Sequence, residues 1–371
     1  MAEPGAGAGG DLGVYVHVPF CARRCDYCAF ATWTGIDHIA PGYVDACLAQ
    51  LRAAYAQGLG PAATVFFGGG TPSRLDAGEL VRLLEGVARL DGAEVTVECN
   101  PEDVTVALLA RYAAAGVNRI SLGVQSLSAH VLASLGRSHS PSAVAKAVAA
   151  IGEVGFSSFS VDLIYGARDE DDADWAASVA GVLALDPPPP HVSAYALQAE
   201  AGTPLWRDPA RHPDDDAQAR RYEIADELLE EAGLSWYEIS NWSRPGHECR
   251  HNQNYWRQGE YLGVGCAAHS HLAGRRFWNI RTPARYMAAV AAGSSPVAGE
   301  ESLGPEARLM EALELQVRTR EGVASEALGD DEALEGLVTR DQGRAVLTRR
   351  GRLLANEVAC RLRVPAASSR P

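Results

Sequence analysis

Short apolar runs of four to six residues alternate, through the first half of the chain, with longer stretches whose apolar positions recur at helical spacing. The runs are Gly13–Val18, Thr64–Phe67, Glu94–Glu98, Arg119–Leu122, Phe159–Ile164 and Val192–Leu197. Between them lie amphipathic stretches at Tyr43–Gln57, Gly78–Ala88, Val104–Ala115, Ser142–Val154 and Trp175–Leu185. Strand-length runs separated by helix-length segments predict repeated β–α units, hence an α/β fold with a parallel sheet and helices outside it. The pattern then changes. Asp214–Ala232 reads as a charged amphipathic helix, Trp236–Ile239 as an edge strand and Pro283–Pro296 as a linker. The last part reads as a helix over Glu306–Arg318, a short helix near Asp331–Val338, a strand pair around Gly343–Leu347 and a final helix over Leu347–Leu362.

At 371 residues the chain exceeds the usual size of one domain. The expected division is a tail over 1–12, a barrel over 13–235, a connecting segment over 236–297 and a small carboxyl-terminal domain over 298–371. Helices followed by a small β wing give that last domain a winged-helix-like character. The opening MAEPGAGAGG reads as a flexible tail without the cationic and apolar regions of a secretory signal. No apolar run approaches a membrane span, so a cytoplasmic location is expected. Eight cysteines in such a chain point to metal or redox chemistry rather than disulfides. A formal charge of −14, with Lys146 the only lysine, argues against broad nucleic-acid binding.

Candidate chemistry concentrates where the predicted strands end, as expected of barrels built from β–α units. After the first run, Cys21, Cys25 and Cys28 stand at Cys-x3-Cys-x2-Cys spacing. Three thiolates in one loop suit an iron–sulfur cluster or zinc. A closed zinc site usually takes a fourth Cys or His near by, and no second knuckle follows. After the second run comes Gly68-Gly69-Gly70-Thr71-Pro72, which is either a plain tight turn or a backbone surface open to a ligand. Glu98, Gln125 and Arg137 follow later strands, and Asp162 interrupts an apolar run, where a carboxylate needs partners. The acidic stretch Ala167–Asp172 reads as a solvated loop capping the next helix.

The string YVHVPFCARRCDYC resembles the signature of radical S-adenosylmethionine proteins, and more narrowly of the group containing oxygen-independent coproporphyrinogen III dehydrogenase and the haem chaperones. The resemblance runs from Gly13 to about Val364. It implies a partial (β/α)6 barrel of the TIM type and a 4Fe-4S cluster held by Cys21, Cys25 and Cys28. It also implies S-adenosyl-L-methionine bound through Tyr15, Gly69, Gly70, Thr71, Glu98, Gln125, Arg137 and Asp162, with Ala196 a further position whose register could shift by one residue. His17 and Tyr27 would line the cluster.

Two features divide the group. The dehydrogenase pattern has a cysteine two residues after the triplet, where this chain has Phe30, which cannot supply a thiol. The stretch His251–Trp256 (HNQNYW) matches the HNxxYW motif associated with the chaperones, making His251 the lead candidate to bind haem. Cys249 is a weaker candidate ligand. His269 and His271 read as packing or loop residues, and Cys47, Cys99, Cys266 and Cys360 as core. The implied function is a chaperone that binds haem and hands it to an acceptor protein, served by an electron donor, with a homodimer as one expected assembly and no catalytic residue assigned. The alternative is oxidative decarboxylation of porphyrinogen propionates.

Overall fold

The computed structural model describes residues 11–329 and 331–364. The tail expected over 1–12 therefore lies outside the described residues, apart from its last two positions. Six strands stand side by side in chain order, all parallel: β1 (Gly13–Val18), β2 (Ala62–Gly69), β3 (Arg89–Cys99), β4 (Arg119–Gln125), β5 (Ser158–Tyr165) and β6 (His191–Ala196). The connections carry α1 (Ala40–Ala56), α2 (Ala77–Glu85), α3 (Val106–Ala114), α4 (Ala129–Ser134), α5 (Pro141–Val154) and α6 (Asp172–Leu183). Local chemistry marks their ends. Ser140 caps α5 by accepting from the Ala143 amide, Pro141 opens the helix, and Gly155 ends it at φ 87°.

The strands bury two unlike faces. Val14, Val16, Val18, Val65, Phe67, Val97, Ile120, Leu122, Val161 and Leu163 join the helices in one core. The intervening residues, among them Tyr15, Glu98, Ser121, Asp162 and Ser193, face an interior cavity of about 890 Å³. With a side-chain period of two and parallel strands in register, the apolar set packs on the helices and the polar set shares one space.

The sheet continues past both ends of this unit. Among the described residues it has twelve strands. β9 (Tyr261–Val264) runs parallel to β1, and β10 (His269–Leu272), β11 (Arg275–Asn279) and β12 (Val297–Ser302) follow antiparallel. At the other edge β8 (Asn241–Ser243) pairs with β6, and β7 (Ser235–Glu238) pairs with β8. The architecture is the expected open barrel of parallel β–α units, with flanking strands. Residues 236–297 are thus not merely connecting. They supply the whole of β8 to β11, most of β7, α8 (Arg250–Trp256) and α9 (Pro283–Ala291), the last where a linker was expected. Tyr286 of α9 docks on α1, donating to Gln50 Oε1 at 2.6 Å with its ring 5.7 Å from that of Tyr43.

A second, smaller core gathers Val317, Val323, Leu328, Leu334, Leu347 and Val358. Here α10 (Pro305–Gln316) precedes a three-stranded sheet of β13 (Val323–Ala324), β15 (Arg344–Leu347) and β14 (Val338–Asp341), rather than a strand pair. The final helix breaks at Leu354 into α11 (Arg349–Leu353) and α12 (Ala355–Ala359). The unit is tied to the barrel through α7 (Asp215–Glu231): Arg352 makes two hydrogen bonds, of 2.7 and 2.6 Å, to the buried Asp226, which also accepts from Trp242 Nε1 at 2.8 Å. Arg340, Arg344, Arg349 and Arg352 are all engaged within the chain.

Candidate functional site

The loop after β1 is fastened to the barrel by backbone bonds. The Cys21 amide donates to Trp33 O at 3.0 Å, the Trp33 amide to Pro19 O at 2.8 Å and the Cys28 amide to Cys25 O at 3.2 Å. Its far side is held by His17, whose Nε2 lies 2.9 Å from Ala31 O and whose Nδ1 lies 3.1 Å from the Tyr15 hydroxyl. Burial pushes the His17 imidazole down to about 4, so the ring is neutral. Cys21, Cys25 and Cys28 all line the interior cavity. Among the described residues no three His, Cys, Asp or Glu side chains converge as ligands of one metal ion.

The glycine turn answers to packing as well as access. Gly69 has φ 110°, and a Cβ there would lie 2.4 Å from the His17 ring. A Cβ on Gly70 would lie 2.7 Å from Val18 O. The turn thus presses against the base of the cysteine loop, while Gly69, Gly70 and Thr71 still line the cavity. The Thr71 hydroxyl stands 3.7 Å from Cys21 Sγ.

Across the cavity, Arg137 Nη1 lies 3.8 Å from Cys25 Sγ, and its Nη2 donates to Asn100 Oδ1 and Gly123 O, each at 2.9 Å. Gln125 reaches the same space from a β-bulge at the end of β4, in a left-handed conformation with φ 64°. For a residue other than glycine this conformation is uncommon and clusters at functional sites. Glu98 accepts from the Gly69 amide at 3.1 Å. Burial pushes its carboxyl up to about 8, helped by the nearby Asp162. Asp162 is raised too, again by burial, although Ser121 and Ser193 donate to it at 2.6 and 2.8 Å. Two buried acids flank a space that would welcome a cationic or hydroxyl-bearing ligand. The cavity therefore brings together Tyr15, Gly69, Gly70, Thr71, Glu98, Gln125, Arg137, Asp162 and Ala196 with the three cysteines and Tyr27.

His251 is also present, but not as a free ligand. It is buried at the start of α8, with Nδ1 2.8 Å from the Thr64 hydroxyl and Nε2 2.8 Å from the Tyr255 hydroxyl. Its ring stacks on Phe66 at 5.3 Å, and burial pushes its pKa down to about 3. Both nitrogens are engaged, so axial ligation through His251 would require one of these bonds to break. Cys249 is buried directly before α8, with Sγ 3.7 Å from Glu94 Oε1, and burial pushes its thiol up to about 12. Two smaller expectations change as well. Glu170 is not solvated: it is buried, accepts from the Gly166 amide at 2.6 Å and faces Arg221 at 3.4 Å. Cys360 is exposed rather than in the core.

Residues that the sequence did not single out complete the cavity: Asn100, Ser121, Ser193 and Arg119. Arg119 is buried, donates to Ser158 Oγ and His247 O, and keeps Nη2 without a partner among the described residues. Such small polar residues are common in any chain. Register across neighbouring strands is what gives them a shared purpose.

An open barrel of parallel β–α units with a three-cysteine loop at the carboxyl end of its first strand defines a radical S-adenosylmethionine protein, and the model of the Radical SAM superfamily matches residues 15–180. The haem chaperone HemW of Mycobacterium tuberculosis (strain H37Rv) is 44% identical over 370 residues, covering 94% of each chain. That of Escherichia coli K12 is 41% identical over 267 residues, covering 70% of this chain and 69% of the other. The chain belongs to the HemW family. Among solved structures, the coproporphyrinogen III oxidase HemN from Escherichia coli, described as a radical SAM enzyme, superposes with a TM-score of 0.83. At 22% identity, covering 94% of this chain and 89% of that one, it shows the shared fold.

Proposed function

We propose that the protein is a cytoplasmic haem chaperone that binds haem and passes it to an acceptor protein. Cys21, Cys25 and Cys28 hold a 4Fe-4S cluster, and S-adenosyl-L-methionine binds beside it as an exchangeable ligand. When bound, the cluster supplies one-electron chemistry fed by an external donor. Arg137, fixed by Asn100 and the Gly123 carbonyl, offers its guanidinium to a carboxylate. Glu98 and Asp162 accept from ammonium or hydroxyl groups, and Tyr15, Gly69, Gly70, Thr71 and Gln125 complete the lining.

The observation that carries this reading is the kinship itself, which runs through the barrel and the carboxyl-terminal unit alike and covers 94% of the chain. Phe30 agrees with it. The side chain is 67% exposed at the edge of the cysteine loop and brings no thiol. The deciding experiment is anaerobic incubation of cluster-loaded protein with S-adenosylmethionine and either haem or coproporphyrinogen III. The chaperone reading expects a stoichiometric haem complex and no decarboxylated porphyrinogen. Turnover of the porphyrinogen would establish the enzyme instead.

A further inference from the structure

A second cavity, of about 520 Å³, opens between the cysteine loop and the strands β9 to β11. It shares Tyr15, Ala29, Phe30 and Tyr255 with the interior cavity, so these residues border both spaces. Its lining is aromatic on one side, with Tyr261 packed edge-on against Tyr255 at 4.6 Å and Phe30 largely exposed. On the neighbouring strand β10 stands His269. That ring is solvent-exposed, stacks on Trp278 at 5.7 Å and an interplanar angle of 27°, and has no hydrogen-bond partner on either nitrogen among the described residues. Although the residue is exposed, partial burial of the ring and the neighbouring Arg276 lower its pKa, which favours the neutral imidazole that binds iron. At the rim Arg281 is exposed and takes part in no ion pair among the described residues, and Ala267 holds a left-handed conformation with φ 57°. Strain of this kind in a residue other than glycine tends to mark a functional edge.

We propose that this cavity is the haem-binding site, with His269 as an axial ligand of the iron, Phe30 and Tyr261 against the macrocycle, and Arg281 on a propionate. The proposal rests on the chaperone reading and assigns the cargo to a site outside the cofactor cavity. The volume lies within the usual range for small-molecule pockets, which are apolar with a few placed polar groups. An imidazole, aromatic side chains and a guanidinium match the three parts of a haem: metal, ring and carboxylate. His251 then acts at one remove. Its bond to the Tyr255 hydroxyl fixes a ring that lines both cavities, which makes it a positioning residue.

The test is an anaerobic titration of cluster-loaded protein with ferric haem, followed by difference absorption and electron paramagnetic resonance. His269→Ala is expected to weaken binding about tenfold or more and to lose the histidine signature, with free imidazole restoring it. Arg281→Gln is expected to weaken binding with the spectrum kept. His269→Ala protein that binds haem with wild-type affinity and spectrum would overturn the site while leaving the chaperone reading standing. So would a loss that imidazole does not restore. Failure of the wild-type protein to bind haem at all would remove both.

Discussion

Replacing His251 by alanine separates a ligand from a structural element. The ring bridges the Thr64 and Tyr255 hydroxyls, each at 2.8 Å, and stacks on Phe66. Each hydrogen bond contributes about 1 kcal/mol net. The two ends differ, however. Tyr255 faces the cavities, where water can replace the lost partner, whereas Thr64 is 2% exposed and its hydroxyl would stay unpaired at a cost of about 1–3 kcal/mol. Lost ring packing and the void add roughly 1 kcal/mol or more. The expected loss is about 3 kcal/mol, a large share of a typical folding free energy. His251→Gln, able to restore one of the two bonds, should lose about half as much. Urea unfolding of the metal-free proteins, analysed for midpoint and slope, measures the difference. A loss below about 1 kcal/mol for His251→Ala would refute the bridging role. An unchanged stability together with disappearance of the histidine–iron signature would identify His251 as the ligand after all.

Asp226→Ala leaves the buried Arg352 without its carboxylate and should cost about 3–5 kcal/mol, seen as earlier unfolding or proteolysis of the carboxyl-terminal unit. Burial alone would raise the Asp226 carboxyl, yet the Arg352 and Trp242 bonds bring it below the usual range, so the stability it contributes persists above the unfolded pKa and is lost as pH falls through the folded one. A pH titration of stability in which the wild type and Asp226→Asn converge only in acid checks this. Gly69→Ala forces a Cβ against the His17 ring at φ 110° and should destabilise the protein by about 2 kcal/mol or more while lowering the iron and sulfide incorporated. Glu98, raised to about 8 in the fold, holds a proton that the unfolded chain has already released. It therefore makes stability fall as pH rises from about 4 to 8, and Glu98→Gln should flatten that slope.

The β–α half of the fold is legible in the chain because each buried strand is an apolar run, and the limits of β1 coincide with those expected. The strands β9 to β12 are not, since runs such as HSHL and RRFWN carry too few apolar residues and are recruited by backbone pairing to the free edge of β1. The cysteine loop could be read because ligand spacing is local. The role of His251 could not, because the groups that occupy its nitrogens lie on β2 and one helical turn away. Glu170 misled for a similar reason: an acidic run usually faces water, and only the return of Arg221 from α7 buries this member of it. His269 gave no signal beyond its proximity to His271, and β10 brings both rings to the same cavity with different hydrogen bonding. His271 Nδ1 lies 2.9 Å from Gly259 O, and His269 has no side-chain hydrogen bond among the described residues.

The central claim is a cluster bound by three cysteines, with one coordination position left for S-adenosylmethionine. Electron paramagnetic resonance of anaerobically reconstituted, reduced protein, recorded with and without that compound, tests it most directly. The account predicts a 4Fe-4S signal that changes when S-adenosylmethionine is added and vanishes in Cys21→Ala, Cys25→Ala or Cys28→Ala protein. A spectrum indifferent to S-adenosylmethionine, or protein that incorporates no iron and sulfide, would contradict it.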